Sequence, residues 1–213
     1  MNLLYTGGRL ASRLFFQTYL RWQVFHPERI PREGPLLLAS NHASFLDPPL
    51  IGAASPRPLY YLARHTLFQF APFGWLLRHW NTVPVDRDRG GPKGLKTVLD
   101  LINRGRAVVL FPEGTRSPDG SLRPARPGIG FLVAKTSCPI LPVRVFNTWR
   151  ALGKGMTFPR PTRVAVKFGR PMRFEALRAE AARADRRAAR EIRAQIARQI
   201  MEAIAALEPR ADA

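Results

Sequence analysis

Six short apolar runs, each closed off by proline, glycine, asparagine or charge, constrain this chain more than any other feature it has. They are Leu36 to Ser40, Leu59 to Ala63, Thr82 to Val85, Ala107 to Phe111, Ile140 to Phe146 and Val164 to Phe168. Their length and their aliphatic and aromatic content read as buried strands. Helical patterns fall between some of them. Lys93 to Asn103 sets Leu95, Val98, Leu99 and Ile102 at helical spacing, with Gly105 as a stop signal. Gly128 to Ser137 is a second, shorter helix, and Glu175 to Leu207 carries Ile192, Ile196, Ile200 and Ile204 four apart. Strands alternating with helices predict one α/β domain with a mixed, partly parallel sheet flanked by helices, because parallel neighbours need crossovers. An amphipathic helix is expected before it and a long helix, docked by the isoleucine stripe, after it. The order of strands in the sheet is not readable from the chain.

At 213 residues one core suffices, and 46% apolar content excludes a disordered chain. Thirty-four Lys and Arg against 15 Asp and Glu leave a formal net charge of +19, which attracts anionic surfaces. Nucleic acid and anionic lipid both qualify. Met1 to Pro27 holds no acidic residue, and Arg9, Arg13 and Arg21 alternate there with Leu3, Leu4, Tyr5, Leu10, Leu14, Phe15, Phe16, Tyr19, Leu20, Trp22 and Phe25. Apolar bulk beside arginine suits a lipid interface better than duplex DNA, although such a helix can equally pack on its own domain. Gly120 to Phe174 is also free of acid and carries eleven basic residues. No run approaches the roughly 20 apolar residues of a spanning helix. A peripheral or monotopic protein at the cytoplasmic face of a membrane is therefore expected, with no secretory signal evident. The lone Cys138 reads as a buried small residue, and His26, His42, His65 and His79 lack zinc spacing, so no metal is implied.

Ser40-Asn41-His42-Ala43-Ser44-Phe45-Leu46-Asp47-Pro48 follows a candidate strand, placing a histidine and a carboxylate at a sheet edge, where α/β folds commonly bind ligands. A neutral imidazole can accept a proton, and a carboxylate fixes its tautomer. A turn would bring Asp47 within reach of His42. Ser44 lacks a nucleophile elbow, so a hydroxyl supplied by substrate is the simpler nucleophile. Taken alone, the same residues also fit an ordinary turn with a structural histidine.

After Ala107 to Phe111 comes Pro112-Glu113-Gly114-Thr115-Arg116-Ser117. Gly114 permits close backbone approach, Arg116 offers a planar donor fork for phosphate, Thr115 and Ser117 add hydroxyls, and Glu113 can accept from a substrate hydroxyl. Thr82-Val83-Pro84-Val85-Asp86-Arg87-Asp88-Arg89 ends a strand with Arg87 as a further phosphate ligand. Pro139-Ile140-Leu141-Pro142-Val143 has prolines that predict an edge strand or a site wall.

In this order the four blocks resemble the glycerolipid acyltransferase family typified by 1-acylglycerol-3-phosphate acyltransferases, over roughly Pro35 to Arg170. Asn41-His42 through Asp47 is similar to the family's His-x4-Asp block, Val85-Asp86-Arg87 to its second, Phe111 to Ser117 to its third and Pro139 to Val143 to its fourth. The resemblance implies His42 as base, Asp47 as its orienting partner, and Arg87, Glu113, Gly114, Thr115 and Arg116 as acceptor-binding groups. With the residue patterns at either end, the chain is expected to divide into an amphipathic membrane-associating segment over 1–27, the acyltransferase domain over 28–174 and a packed C-terminal helix over 175–213. The implied substrates are a lysophospholipid acceptor and an acyl thioester of coenzyme A or acyl carrier protein, at an anionic membrane surface, with no cofactor and no nucleic acid. Another lysophospholipid, glycerol 3-phosphate or an aminolipid stays open as acceptor, and a non-catalytic basic module binding nucleic acid or membrane is the reading from another class. Two departures are visible. Arg64-His65-Thr66-Leu67 stands where members often have Lys-x-Glu-Leu, and Trp80-Asn81 where a glycine often precedes the Asp-Arg pair.

Overall fold

Leu36 to Ser40 is buried along its whole length, and its alternation shows why: Leu36 and Leu38 enter one apolar cluster, Leu37 and Ala39 another on the opposite face. A strand covered on both faces reads as a continuous apolar run. The computed structural model describes residues 3–85 and 92–212. Its main sheet holds β1 (Gln23–Phe25), β2 (Leu36–Ser40), β5 (Ala107–Leu110), β6 (Ile140–Phe146) and β7 (Ala165–Phe168) in the order β1-β7-β6-β2-β5. All neighbours are parallel except the antiparallel β6 and β7 pair. A parallel two-stranded sheet, β3 (Tyr61–Arg64) with β4 (Thr82–Val85), joins it at Tyr60, which bridges Val108.

On one face lie α1 (Leu3–Thr18) and α2 (Asp47–Ala54), contributing Phe16, Leu50 and Ile51 to the core. The other face is covered by α4 (Pro92–Asn103), α5 (Gly128–Lys135) and α8 (Arg186–Ala205), through Val98 and Ile102, Ile129 and Leu132, and the four isoleucines. The remaining helices are α3 (Ala71–His79), α6 (Thr148–Leu152) and α7 (Glu175–Arg183). The α/β class with a mixed sheet is therefore as expected.

Four details differ from the expectation. The single C-terminal helix is two, because Ala184 is extended and Asp185 caps α8 by accepting from the Ala188 N–H at 2.8 Å. Gln23–Phe25 is a strand too short to show periodicity. The turn expected between His42 and Asp47 is present at Phe45 and Leu46, and Asp47 then opens α2, with Pro48 and Pro49 in the first turn, where a missing N–H costs nothing. α3 lies in a stretch that carried no assignment. Finally, Pro142 does not mark an edge: β6 lies inside the sheet between β2 and β7. It is tolerated because it comes one step past the first β6 to β7 pair, Val143 with Phe168, and still accepts from the Gly169 N–H at 2.8 Å. Gly169 leaves room for its ring, since a Cβ there would fall 2.7 Å from Pro142 Cγ.

Ile196 is fully buried between α8 and the sheet. Ile196→Ala is expected to destabilise the chain by about 2–5 kcal/mol, read as a lower urea midpoint at unchanged slope. A midpoint shift worth under about 1 kcal/mol would mean that the isoleucine stripe does not dock α8.

Candidate active site

Because β2 and β5 are parallel neighbours with Leu36 opposite Ala107 and Ala39 opposite Leu110, the residues that follow them leave the sheet side by side. The same register of 71 positions carries on past the strands to His42 and Glu113, where the His42 N–H donates to Glu113 Oε1 at 3.1 Å. The Ser117 N–H donates back to the His42 carbonyl at 2.7 Å, and the imidazole stacks on the Phe111 ring at 4.0 Å between centroids. A third strand adds a tie: Asn41 pairs its side-chain amide with Val145 of β6, accepting at 2.8 Å and donating at 3.1 Å. Histidine, carboxylate and arginine turn are thus brought together by sheet register.

His42 Nδ1 lies 2.7 Å from Asp47 Oδ2, which also accepts the N–H groups of Ala43 at 2.7 Å and Ser44 at 2.8 Å. With the proton assigned to Nδ1, Nε2 is the acceptor of the neutral ring, and no described residue bonds it. Asp47 is fully buried, and its second oxygen, Oδ1, has no partner among the described residues. Ser44 is not available as a nucleophile: its buried hydroxyl donates to the Leu152 carbonyl at 2.6 Å and accepts from Leu46 N–H at 3.0 Å.

Glu113 is buried, and its Oε2 has no partner among the described residues. Burial pushes its pKa up from 4.5 to about 7, against the opposing His42 N–H bond and the positive charge of Arg123. Gly114 holds φ +70, a left-handed conformation that favours glycine, and the exposed Arg126 side chain lies against the space a Cβ would take. Thr115 is exposed. The Arg116 guanidinium lies 3.6 Å over the Phe45 ring, with Nη1 buried and without a partner among the described residues, and desolvation lowers its pKa while the Asp47 charge opposes that. Arg87, with Asp86, Asp88 and Arg89, lies outside the described residues.

An apolar cavity of about 510 Å³ opens beside this pair of loops, lined by Phe45 and Phe111 from the loops, Gly8 and Arg9 from α1, and Phe73 and Trp80 around α3. Sequence reasoning did not find it, nor the ring contacts of Phe45 and Phe111, nor Arg123 and Arg126 around the turn. The aromatic residues stood inside the motif blocks and read as apolar bulk. Of the two departures, Leu67 lines the cavity, while Asn81 takes φ +54, the left-handed conformation that glycine or asparagine supplies.

A histidine and carboxylate pair, a desolvated guanidinium and an apolar cavity at the carboxyl edge of an α/β sheet make an acid–base site suited to an anionic amphiphile. The chain belongs to the glycerolipid acyltransferase family: a family model described as Acyltransferase matches residues 21–146. It is 31% identical over 152 residues to the chloroplastic 1-acyl-sn-glycerol-3-phosphate acyltransferase of Brassica napus, a match covering 70% of this chain and 44% of that protein. The 1-acyl-sn-glycerol-3-phosphate acyltransferase of Bacillus subtilis strain 168 is 29% identical over 121 residues, 56% of this chain and 60% of that one. The chain spans about half the length of these curated relatives. The crystal structure of the 1-acyl-sn-glycerophosphate acyltransferase PlsC from Thermotoga maritima has the same fold, with a TM-score of 0.71 at 24% identity over 97% of this chain and 80% of that one.

The raised pKa of Glu113 makes a stability prediction independent of activity. A carboxyl with a higher pKa folded than unfolded takes up a proton on folding, so its contribution to stability falls as pH rises from about 4.5 to about 7. Glu113→Gln keeps the acceptor for the His42 N–H and cannot ionise. Its stability relative to wild type is expected to climb across that window and to level off on either side, measured by urea unfolding at stepped pH. A pH-independent difference would show that Glu113 is not desolvated in solution.

Proposed function

We propose that this protein transfers a fatty acyl chain from a thioester to the free hydroxyl of 1-acyl-sn-glycerol 3-phosphate, giving phosphatidic acid and a free thiol. The observation that carries the reading is the conjunction at one sheet edge of the His42 and Asp47 pair, an Arg116 nitrogen buried and without a partner among the described residues, and the apolar cavity. Each matches one part of a lysophosphatidic acid: a hydroxyl to deprotonate, a phosphate to hold, a hydrocarbon to bury. The names of the relatives point to the same acceptor.

In the proposed reaction His42 Nε2 takes the hydroxyl proton as the oxygen attacks the thioester carbonyl. The tetrahedral oxyanion collapses, the carbon–sulfur bond breaks, and the imidazolium returns its proton to the departing thiolate. Asp47 holds the ring in the productive tautomer and offsets the imidazolium charge. Arg116, with Arg87, takes the acceptor phosphate, and Glu113, Gly114 and Thr115 shape the turn that presents it. Acyl-coenzyme A and acyl carrier protein are both admissible donors, since each is a thioester on an acidic carrier and the protein is strongly basic. We place the enzyme peripherally on the cytoplasmic face of a membrane. Leu3, Leu10 and Leu14 of α1 are exposed beside arginines, and no helix among the described residues is long and apolar enough to cross a bilayer.

The test is thiol release from acyl-coenzyme A with lysophosphatidic acid. His42→Ala is expected to lower turnover by about 10² to 10⁴-fold with its urea midpoint held, and undiminished turnover would remove His42 from the mechanism. Arg116→Ala should raise the KM for acceptor while leaving that for donor, and an unmoved acceptor KM would exclude the phosphate clamp. Salt-sensitive DNA binding without any acyl transfer would favour the non-catalytic reading instead.

A further inference from the structure

The segment from His65 to His79 presents large aromatic side chains to solvent that no described part of the chain covers. Phe70 is 71% exposed and Trp75 52%, with Phe73 also exposed. They do not hang on a loose loop. His65–Phe68 forms one turn of 3-10 helix and α3 follows directly, packed so closely that a Cβ on Gly74 would fall 2.6 Å from the Phe68 carbonyl oxygen. Arg78 lies 5.3 Å over the Phe68 ring, and His79 Nδ1 bonds the Trp75 carbonyl at 2.8 Å. The unit is braced while its apolar tips are bare.

Its position gives those tips a partner. A Cβ on Gly8 would fall 2.3 Å from Trp80 Nε1, so α1 and the end of α3 pack directly side by side. Both elements rim the apolar cavity, α1 through Tyr5, Gly8, Arg9 and Ser12, the 65–80 segment through Leu67, Phe73, Leu77 and Trp80. Phe73 belongs to the cavity wall and to the exposed patch at once. The charge is one-sided as well: neither 1–27 nor 48–85 contains an Asp or Glu, while Arg9, Arg13 and Arg78 lie among the apolar residues. A protein partner of ordinary mixed charge would leave these cations unmatched; an anionic lipid surface matches them, and its interface is where aromatic side chains settle.

We propose that Phe70, Phe73 and Trp75 form a second membrane foot, which docks beside α1 on an anionic bilayer and sets the cavity mouth against the lipid. Acyl chains then pass between bilayer and cavity along the Phe73 rim without crossing water. The proposal rests on the acyltransferase reading for its purpose, but its test does not depend on catalysis. Phe70 and Trp75 lie outside the cavity, so Phe70→Ser with Trp75→Ser changes the patch and spares the site.

Vesicle sedimentation with phosphatidylcholine and phosphatidylglycerol at three to one, by about that ratio, is expected to show partitioning weakened about tenfold or more in the double variant. Trp75→Phe alone should remove most of the tryptophan quenching by vesicles of brominated lipid. Thiol release with detergent-dispersed lysophosphatidic acid should match wild type in the double variant, and activity on vesicle-borne acceptor should fall with partitioning. Partitioning that the double variant does not alter would overturn the foot, as would quenching that survives Trp75→Phe. A doubled mass by light scattering that reverts in the double variant would assign the patch to a second copy of the chain and overturn it too. Loss of activity on dispersed acceptor in wild type would instead refute the proposed reaction and leave the partitioning result standing.

Discussion

One hydrogen-bonded junction holds the site: the main chain of His42 gives its N–H to Glu113 and takes the Ser117 N–H on its carbonyl. These bonds make the loops that follow β2 and β5 into a continuation of the pairing of those strands. Parallel strands leave the sheet in the same direction, so loops that follow them meet by default, and register decides which residues meet. The His42 side chain is therefore positioned by backbone, before its own interaction with Asp47 is counted. That order matters energetically. A buried carboxylate such as Asp47 is costly unless its oxygen is well supplied with donors, and two of its three donors on Oδ2 are backbone N–H groups of the same loop.

The polar atoms of the site divide into satisfied and waiting. Asn41, Ser44 and Asp47 Oδ2 are fully engaged within the protein and fix the loop. Asp47 Oδ1, Glu113 Oε2 and Arg116 Nη1 are buried and lack partners among the described residues. Leaving a charged or polar atom desolvated costs of order 1–3 kcal/mol, so three within two adjoining loops are a concentration of unmet demand. A phosphorylated, hydroxyl-bearing ligand answers both signs of it. The aromatic shelves beneath His42 and Arg116 keep these groups from relaxing toward solvent, so the charge stays aimed rather than solvated.

How much of this was legible depends on whether the controlling interaction was local. The central strands were readable because burial on both faces leaves an unbroken apolar run, as in Leu36 to Ser40. His42 with Asp47, and the Glu113 to Arg116 turn, were readable because their chemistry is carried within a few residues. The two aromatic contacts, the role of Asn41 and the cavity were not, because each joins segments far apart in the chain: Asn41 to Val145, and Gly8 to Trp80. Pro142 misled for the same reason. A proline inside a run argues for an edge when only its own strand is seen, whereas its tolerance depends on where the β7 ladder ends and on the absent Cβ of Gly169.

The architecture separates what must be rigid from what can vary. His42, Asp47 and the Arg116 turn hang on β2, β5 and β6, neighbours in the main sheet with apolar clusters on both faces. The cavity is walled largely by α1, β3 and the 65–80 segment, and the small β3–β4 sheet joins the main one through a single bridge at Tyr60. Displacement of β5 against β2 would separate His42 from Glu113 directly. The departures from the usual family pattern, Arg64 to Leu67 and Trp80 to Asn81, fall on the cavity side, where Phe45 and Phe111 join that wall to the loops of His42 and Glu113.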